Sequence, residues 1–77
     1  MKNDPLLLAL GKNVSDLRKK MELTQEQLAE RAGLDSTYIS GIERGVRNPS
    51  FKSLVSLASG FGISVSDLCA VFKKPIK

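Results

Sequence analysis

A chain of 77 residues, 42% of them apolar, makes one domain, with a core of about fifteen apolar side chains and little room for a deep enzyme pocket. It has no histidine, which excludes catalysis by a histidine base, and its single cysteine, Cys69, can form no internal disulfide and no metal site by itself. Twelve basic residues against eight acidic ones give a formal charge of +4, an excess that favours a polyanionic partner because each Lys or Arg set near a phosphate gains attraction and releases a counterion.

In chain order, residues 1–3 are expected to fray, and Asp4 caps a first helix whose first turn accommodates Pro5, where a missing amide donor is harmless. Leu7, Leu10, Val14, Leu17 and Met21 recur at alternating steps of three and four and predict an apolar stripe along that helix. Gly11 tempers the helix without breaking the pattern. Leu6 and Leu8 fall off the stripe and read either as a second contact face, for instance with another subunit, or as ordinary surface leucines. The LLLAL run is too short to span a membrane and poor as a signal peptide. Asp16 and Lys20 are spaced for a weak surface pair.

The stretch that organises the chain is residues 24–44, TQEQLAERAGLDSTYISGIER. Thr24 and Gln27 have the spacing of a capping box, with Leu23 and Leu28 placed as a hydrophobic staple. Leu28, Ala29 and Ala32 share one face, and Gly33 stands where a left-handed turn must end the helix. Asp35 or Ser36 then caps a second helix, which returns Ile39 and Ile42 to the core and leaves Ser36, Thr37, Ser40 and Gly41 on other faces. That face is small, polar and uncharged: it reads either as plain solvated surface or as the surface a helix needs to enter a major groove about 12 Å wide. Ala29, a methyl in the middle of the first motif helix, lets the second cross it closely. Helix, glycine, helix is in isolation a weak pattern, shared by many helical pairs.

Asn48, Pro49 and Ser50 mark a turn and a new start, with Ser50 as N-cap. Leu54, Leu57, Ala58 and Phe61 form the inward face of the next helix, Phe51 packs at its beginning, and Gly60 and Gly62 bracket its end. Ser64 and Asp67 repeat the capping-box spacing before a last helix that carries Val65, Leu68, Cys69 and Phe72 and is stopped by Pro75. The reading is all-α, five helices in a single domain over residues 1–77, without repeat or linker. Basic residues gather at Arg18, Lys19 and Lys20, at Arg44 and Arg47, and at Lys73, Lys74 and Lys77. Arg44 and Arg47 rise above ordinary surface charge because they follow the polar helix and precede another helix start. Arg18 and Glu43 have complementary charge beside apolar positions, which would suit a lock between the first helix and the second motif helix.

The run LRKKMELTQEQLAERAGLDSTYISGIERGVRNPS, followed by Leu54, Leu57, Ala58, Phe61, Gly62 and Ile63, resembles the Cro/C1-type, xenobiotic-response-element-like helix-turn-helix family over nearly the whole chain. Within it, DSTYISGIERGVRNPS is similar to restriction-modification controller proteins, short homodimers that bind palindromic operators. The resemblance implies a compact lambda-repressor-like fold and sequence-specific binding of double-stranded DNA in transcription regulation. It implies that Ser36, Thr37 and Ser40 face base edges, that Gln25, Tyr38, Arg47 and Asn48 contact the DNA backbone, and that Arg18 and Glu43 form a structural ion pair. A packed ring is the alternative for Tyr38. One departure stands out: many controller proteins carry arginine where this chain has Ser36, and serine offers only a short, less selective bond in place of bidentate guanine recognition.

Apolar residues left over in the last helix make Val65, Cys69 and Phe72 the candidate homodimer interface. The competing class is a protein-interaction module or antitoxin-like adaptor that keeps the fold without binding DNA, in which Leu6, Leu8, Val65 and Phe72 would meet the partner. An enzyme is a distant third, since the hydroxyls have no activating base and the acidic residues form no metal-binding cluster. No cofactor, metal, membrane or small-molecule ligand is expected, and the location expected is the cytoplasm.

Overall fold

Each helix begins where a side-chain oxygen meets an otherwise unpaired backbone N–H. In the computed structural model, which describes residues 4–72, these caps are Asp4, Thr24, Asp35, Ser50 and Ser64. They open α1 (Pro5–Lys20), α2 (Gln25–Ala32), α3 (Ser36–Glu43), α4 (Phe51–Phe61) and α5 (Val65–Leu68), and a 3-10 turn over Ala70–Phe72 follows. Thr24 makes the full capping box: its hydroxyl accepts from the Gln27 amide at 3.0 Å, and Gln27 Oε1 accepts from the Thr24 amide at 2.8 Å. Of the two candidate caps for α3, Asp35 takes the role, its carboxylate accepting from the Thr37 amide at 2.8 Å. Ser36 becomes the first helical residue. An anion is the better partner for the positive end of a helix dipole.

Four helices end through a residue in the left-handed conformation, α3 among them at Gly45 (φ 77°). Gly33 (φ 69°) and Gly62 (φ 75°) close α2 and α4, and the following amides, Leu34 and Ile63, bond back to Ala29 and Ala58 at 2.9 Å. Helix α1 does the same without glycine. There Glu22 adopts φ 58°, so that the Leu23 amide reaches the Arg18 carbonyl at 3.0 Å.

The core is Leu10 and Val14 from α1, Leu28 and Ala29 from α2, Ile39 and Ile42 from α3, Leu57, Ala58 and Phe61 from α4, and Leu68 from α5. Helix α2 packs on α4 and α3, α1 on α3, and α5 on α4. Two of these crossings depend on glycine. Gly11 lies against the α3 backbone at Ile42 and Glu43, and a Cβ at Gly60 would sit 3.0 Å from the Ala32 Cβ. The α1 stripe enters the core at Leu10 and Val14, while Met21, its predicted last member, is the C-cap and is exposed. Among the described residues no helix is long and apolar enough to cross a membrane.

Three further expectations are corrected. Phe51, expected to pack at the start of α4, is 71% exposed. The last helix does not run from Val65 to Phe72. It stops after Leu68, where the Leu68 carbonyl accepts from Asn13 Nδ2 of α1 at 2.6 Å and the chain tightens into a 3-10 turn, the Phe72 amide bonding to Cys69 at 2.9 Å. Asp16 pairs with Lys12 at 3.0 Å rather than with Lys20. Both partners are well exposed, and such pairs contribute little. The predicted fraying of residues 1–3, the stop at Pro75 and the basic group Lys73, Lys74 and Lys77 lie outside the described residues.

Candidate nucleic-acid interface

Helix α3 is held from beneath by Ile39 and Ile42, both essentially inaccessible. With those two turned inward, helical periodicity brings Ser36, Thr37 and Ser40 onto the remaining arc. Thr37 is exposed and Ser36 and Ser40 are half-exposed. Among the described residues none of these three hydroxyls forms an internal hydrogen bond, so donors and acceptors stay available on an uncharged face.

Gly41 is not part of that face. It is buried, because the aliphatic stem of Arg47 lies across it: a Cβ at Gly41 would come within 2.5 Å of Arg47 Cγ. The loop that brings Arg47 back leaves α3 through Gly45 (φ 77°), with the Val46 amide bonded to the Gly41 carbonyl at 3.0 Å. Arg44, Arg47 and Asn48 are all exposed, and Pro49, which follows them, is buried. A basic rim thus borders the hydroxyl-bearing helix, on the side away from the core.

The setting of α3 is fixed at its C-terminus by charge. Arg18 Nε and Nη2 donate to the two Glu43 oxygens at 2.7 and 3.0 Å, and Nη1 donates to the Leu23 carbonyl at 2.8 Å. This two-pronged geometry is the strong form of the interaction. Gln25 Nε2 adds a third bond to Glu43 at 3.1 Å. Burial alone would raise the Glu43 carboxyl, but the bonds from Arg18 and Gln25 and the positive charges of Arg18 and Lys19 outweigh it and hold the group below its ordinary value. The bond to Glu43 likewise raises Arg18 above its ordinary value, against the opposing effect of burial. The Gln25 side chain thus braces Glu43 with one of its two amide N–H groups.

Tyr38 is half-buried and packs against the core, and its hydroxyl donates to Ser53 Oγ at 3.1 Å, at the start of α4. The three candidate interface residues near the chain end differ in setting. Val65 and Phe72 rest partly against the core, and Cys69 is half-buried with a free thiol. Phe72 also lines a shallow apolar groove of about 250 Å³ with Leu6, Leu7, Leu10 and Asn48. Sequence reasoning passed over Asn13, Ser53 and the close approaches at Gly11 and Gly41. None carries a local signal, since each owes its role to a partner at least six residues away.

The helix-turn-helix family model HTH_3 matches residues 14–68. The control protein C.MunI of a Mycoplasma species is 40% identical over 68 residues, 87% of this chain and 92% of that protein. The immunity repressor of Bacillus phage phi105 is 42% identical over 59 residues, 77% of this chain, and the match spans only 41% of that longer repressor. Among solved structures, the controller protein C.Esp1396I bound to a 19 base pair DNA duplex superposes with a TM-score of 0.82 at 36% identity, covering 96% of this chain and 100% of that one. With its capped helix pair, left-handed glycine turn and following helix in the arrangement of these proteins, the chain belongs to the Cro/C1-type helix-turn-helix family, and restriction-modification control proteins are among its relatives.

Proposed function

We propose that the chain is a sequence-specific DNA-binding transcriptional regulator that acts as a homodimer in the cytoplasm. The observation that carries this reading is the outer arc of α3, where the Ser36, Thr37 and Ser40 hydroxyls are free while Ile39 and Ile42 anchor the helix and Arg44 and Arg47 border it. Hydroxyls exchange hydrogen bonds with base edges, and the Thr37 methyl can meet a thymine methyl. Arg47, Asn48 and the α2 N-terminus at Gln25 are the proposed holds on the phosphate backbone, which set register without reading sequence, and the exposure of Arg47 and Asn48 supports this. Ser36 supplies no fork for guanine, so discrimination rests on Thr37, Ser40 and the deformability of the operator.

A single domain of this size makes too little groove contact for strong specificity, and two copies on a palindrome double it. The dimer reading is supported by the apolar groove at Leu6, Leu7, Leu10 and Phe72 and by Val71, which is 50% exposed, next to the candidate interface residues Val65, Cys69 and Phe72. Control of a neighbouring restriction-modification system is the narrower form of the proposal, and it rests on the kinship with C.MunI.

Selection of bound sequences from randomised duplexes tests the reading. The native protein is expected to enrich a palindrome, and Thr37→Ala and Ser40→Ala are each expected to relax one or two base pairs symmetrically while the fold is retained. An unenriched pool, or preferences unchanged in both variants, would remove α3 as the reading element. Sedimentation with and without the selected duplex tests the dimer.

A further inference from the structure

Three hydroxyl groups meet where α4 begins. The Tyr38 hydroxyl donates to Ser53 Oγ at 3.1 Å, the Ser50 hydroxyl donates to the same oxygen at 3.1 Å, and Ser50 Oγ accepts the Ser53 amide at 3.1 Å as the helix cap. The cluster joins position 38 of α3, one residue from Thr37 and two from Ser40, to the first turn of α4. Apart from the Arg18–Glu43–Gln25 lock at the far end of α3, it is the side-chain hydrogen bond that holds the orientation of α3 among the described residues.

The two ends of α3 are therefore held by different chemistry. At Glu43 an ion pair and the Gln25 amide supply three donors to the C-terminal end, whereas near the N-terminal end one neutral hydroxyl bond ties the Tyr38 ring to α4. The ring is half-buried against the core, so it cannot swing freely, and the bond chooses among the few settings that packing permits. Two bonds among three hydroxyls use two protons and leave one. With Tyr38 and Ser50 both donating to Ser53, that proton is Ser53's, and the Ser53 oxygen is the point at which Tyr38 is tied to the first turn of α4.

We propose that Ser53 is a positioning residue for sequence reading: through the Tyr38 hydroxyl it sets the N-terminal half of α3, so that α3 and the first turn of α4 meet the DNA as one unit. This rests on the DNA-binding function proposed above. Ser53 acts through Tyr38, so removing either hydroxyl breaks the same link, and removing the second after the first changes nothing more.

The test is a double-mutant cycle in binding to the selected duplex, using Ser53→Ala, Tyr38→Phe, the two together, and Ser53→Thr. Each single loss of a hydroxyl is expected to weaken binding about three- to tenfold, the range of one hydrogen bond. The double variant is expected to bind no more weakly than the worse single one, and Ser53→Thr, which keeps a hydroxyl, to restore most of the affinity. Thermal unfolding of the free proteins accompanies each measurement, so that a loss of folded protein is separated from a loss of binding per folded molecule. Losses that multiply in the double variant, or native affinity in Ser53→Ala, overturn the proposal while leaving DNA binding intact. A native protein that binds no duplex overturns both, and it is recognised before any variant is made.

Discussion

Gly11 of α1 and Glu43 of α3 meet backbone to backbone: a Cβ at Gly11 would lie 2.6 Å from the Glu43 carbonyl oxygen and closer still to that of Ile42. A helix interior ordinarily gains about 1 kcal/mol when glycine becomes alanine. Here the added methyl meets main chain, which no rotamer change can move aside, and overpacking of that kind costs about 1–3 kcal/mol or more. Gly11→Ala is therefore expected to destabilise the fold in denaturant unfolding, and a stabilised Gly11→Ala would mean that α1 and α3 separate more readily than this contact implies. The same shift would move Glu43 away from Arg18, so DNA affinity is expected to fall with stability.

The lock at Glu43 has a pH signature. Its carboxyl is held below the ordinary value of 4.5 in the folded chain. The pair's stabilisation is accordingly complete above 4.5 and is lost as the pH falls through the lower, folded value. Glu43→Gln is expected to destabilise the protein by about 1–3 kcal/mol at neutral pH, and to flatten the acid limb of its stability curve. Stability that declined equally steeply below 4.5 in both proteins would transfer the acid sensitivity to other carboxylates.

Asn13→Ala leaves the Leu68 carbonyl without its side-chain donor, at about 1 kcal/mol or somewhat more. The loss is expected to be local. Amide exchange should quicken over residues 65–72, while α2, α3 and α4 keep their protection. Uniform acceleration across all helices would mean instead that the chain end and the core open together.

Arg47→Ala is expected to weaken binding to all duplexes by a similar factor and to reduce the slope of log affinity against log salt by roughly one, because a phosphate contact carries little sequence information. A selective change at one base pair would reassign Arg47 from backbone contact to base reading.

The parts of the fold legible in the sequence are those written in neighbouring residues. Thr24 with Gln27, Ser50 before α4 and Gly33 or Gly62 after a helix act within a few positions, and all appear where their spacing puts them. Asp35 and Ser36 were both eligible caps, and only the electrostatics of the helix end separates them. The shortened α5 was out of reach because its apolar spacing is sound. The amide that meets its last carbonyl comes from Asn13, 55 positions away. The turn at Glu22 was equally hidden, since a left-handed residue without glycine gives no compositional sign. Charge complementarity pointed to Arg18 and Glu43 across 25 positions, but the arrival of Gln25 at the same carboxylate followed from the tertiary placement of α2.

Gly41 bears on the proposed Arg47 contact without offering any side chain of its own. A free arginine carries about 2 kcal/mol of rotamer entropy, and Arg47 has already surrendered part of it by laying its stem across that glycine. Folding thus performs some of the ordering that a flexible arm would have to undergo at the moment of encounter. A methyl at position 41 would lift the stem and return the guanidinium to a broad swarm of orientations, leaving charge and composition of the rim as they were. The tightness of the protein's grip would then be set, in part, by a residue that never touches what is gripped.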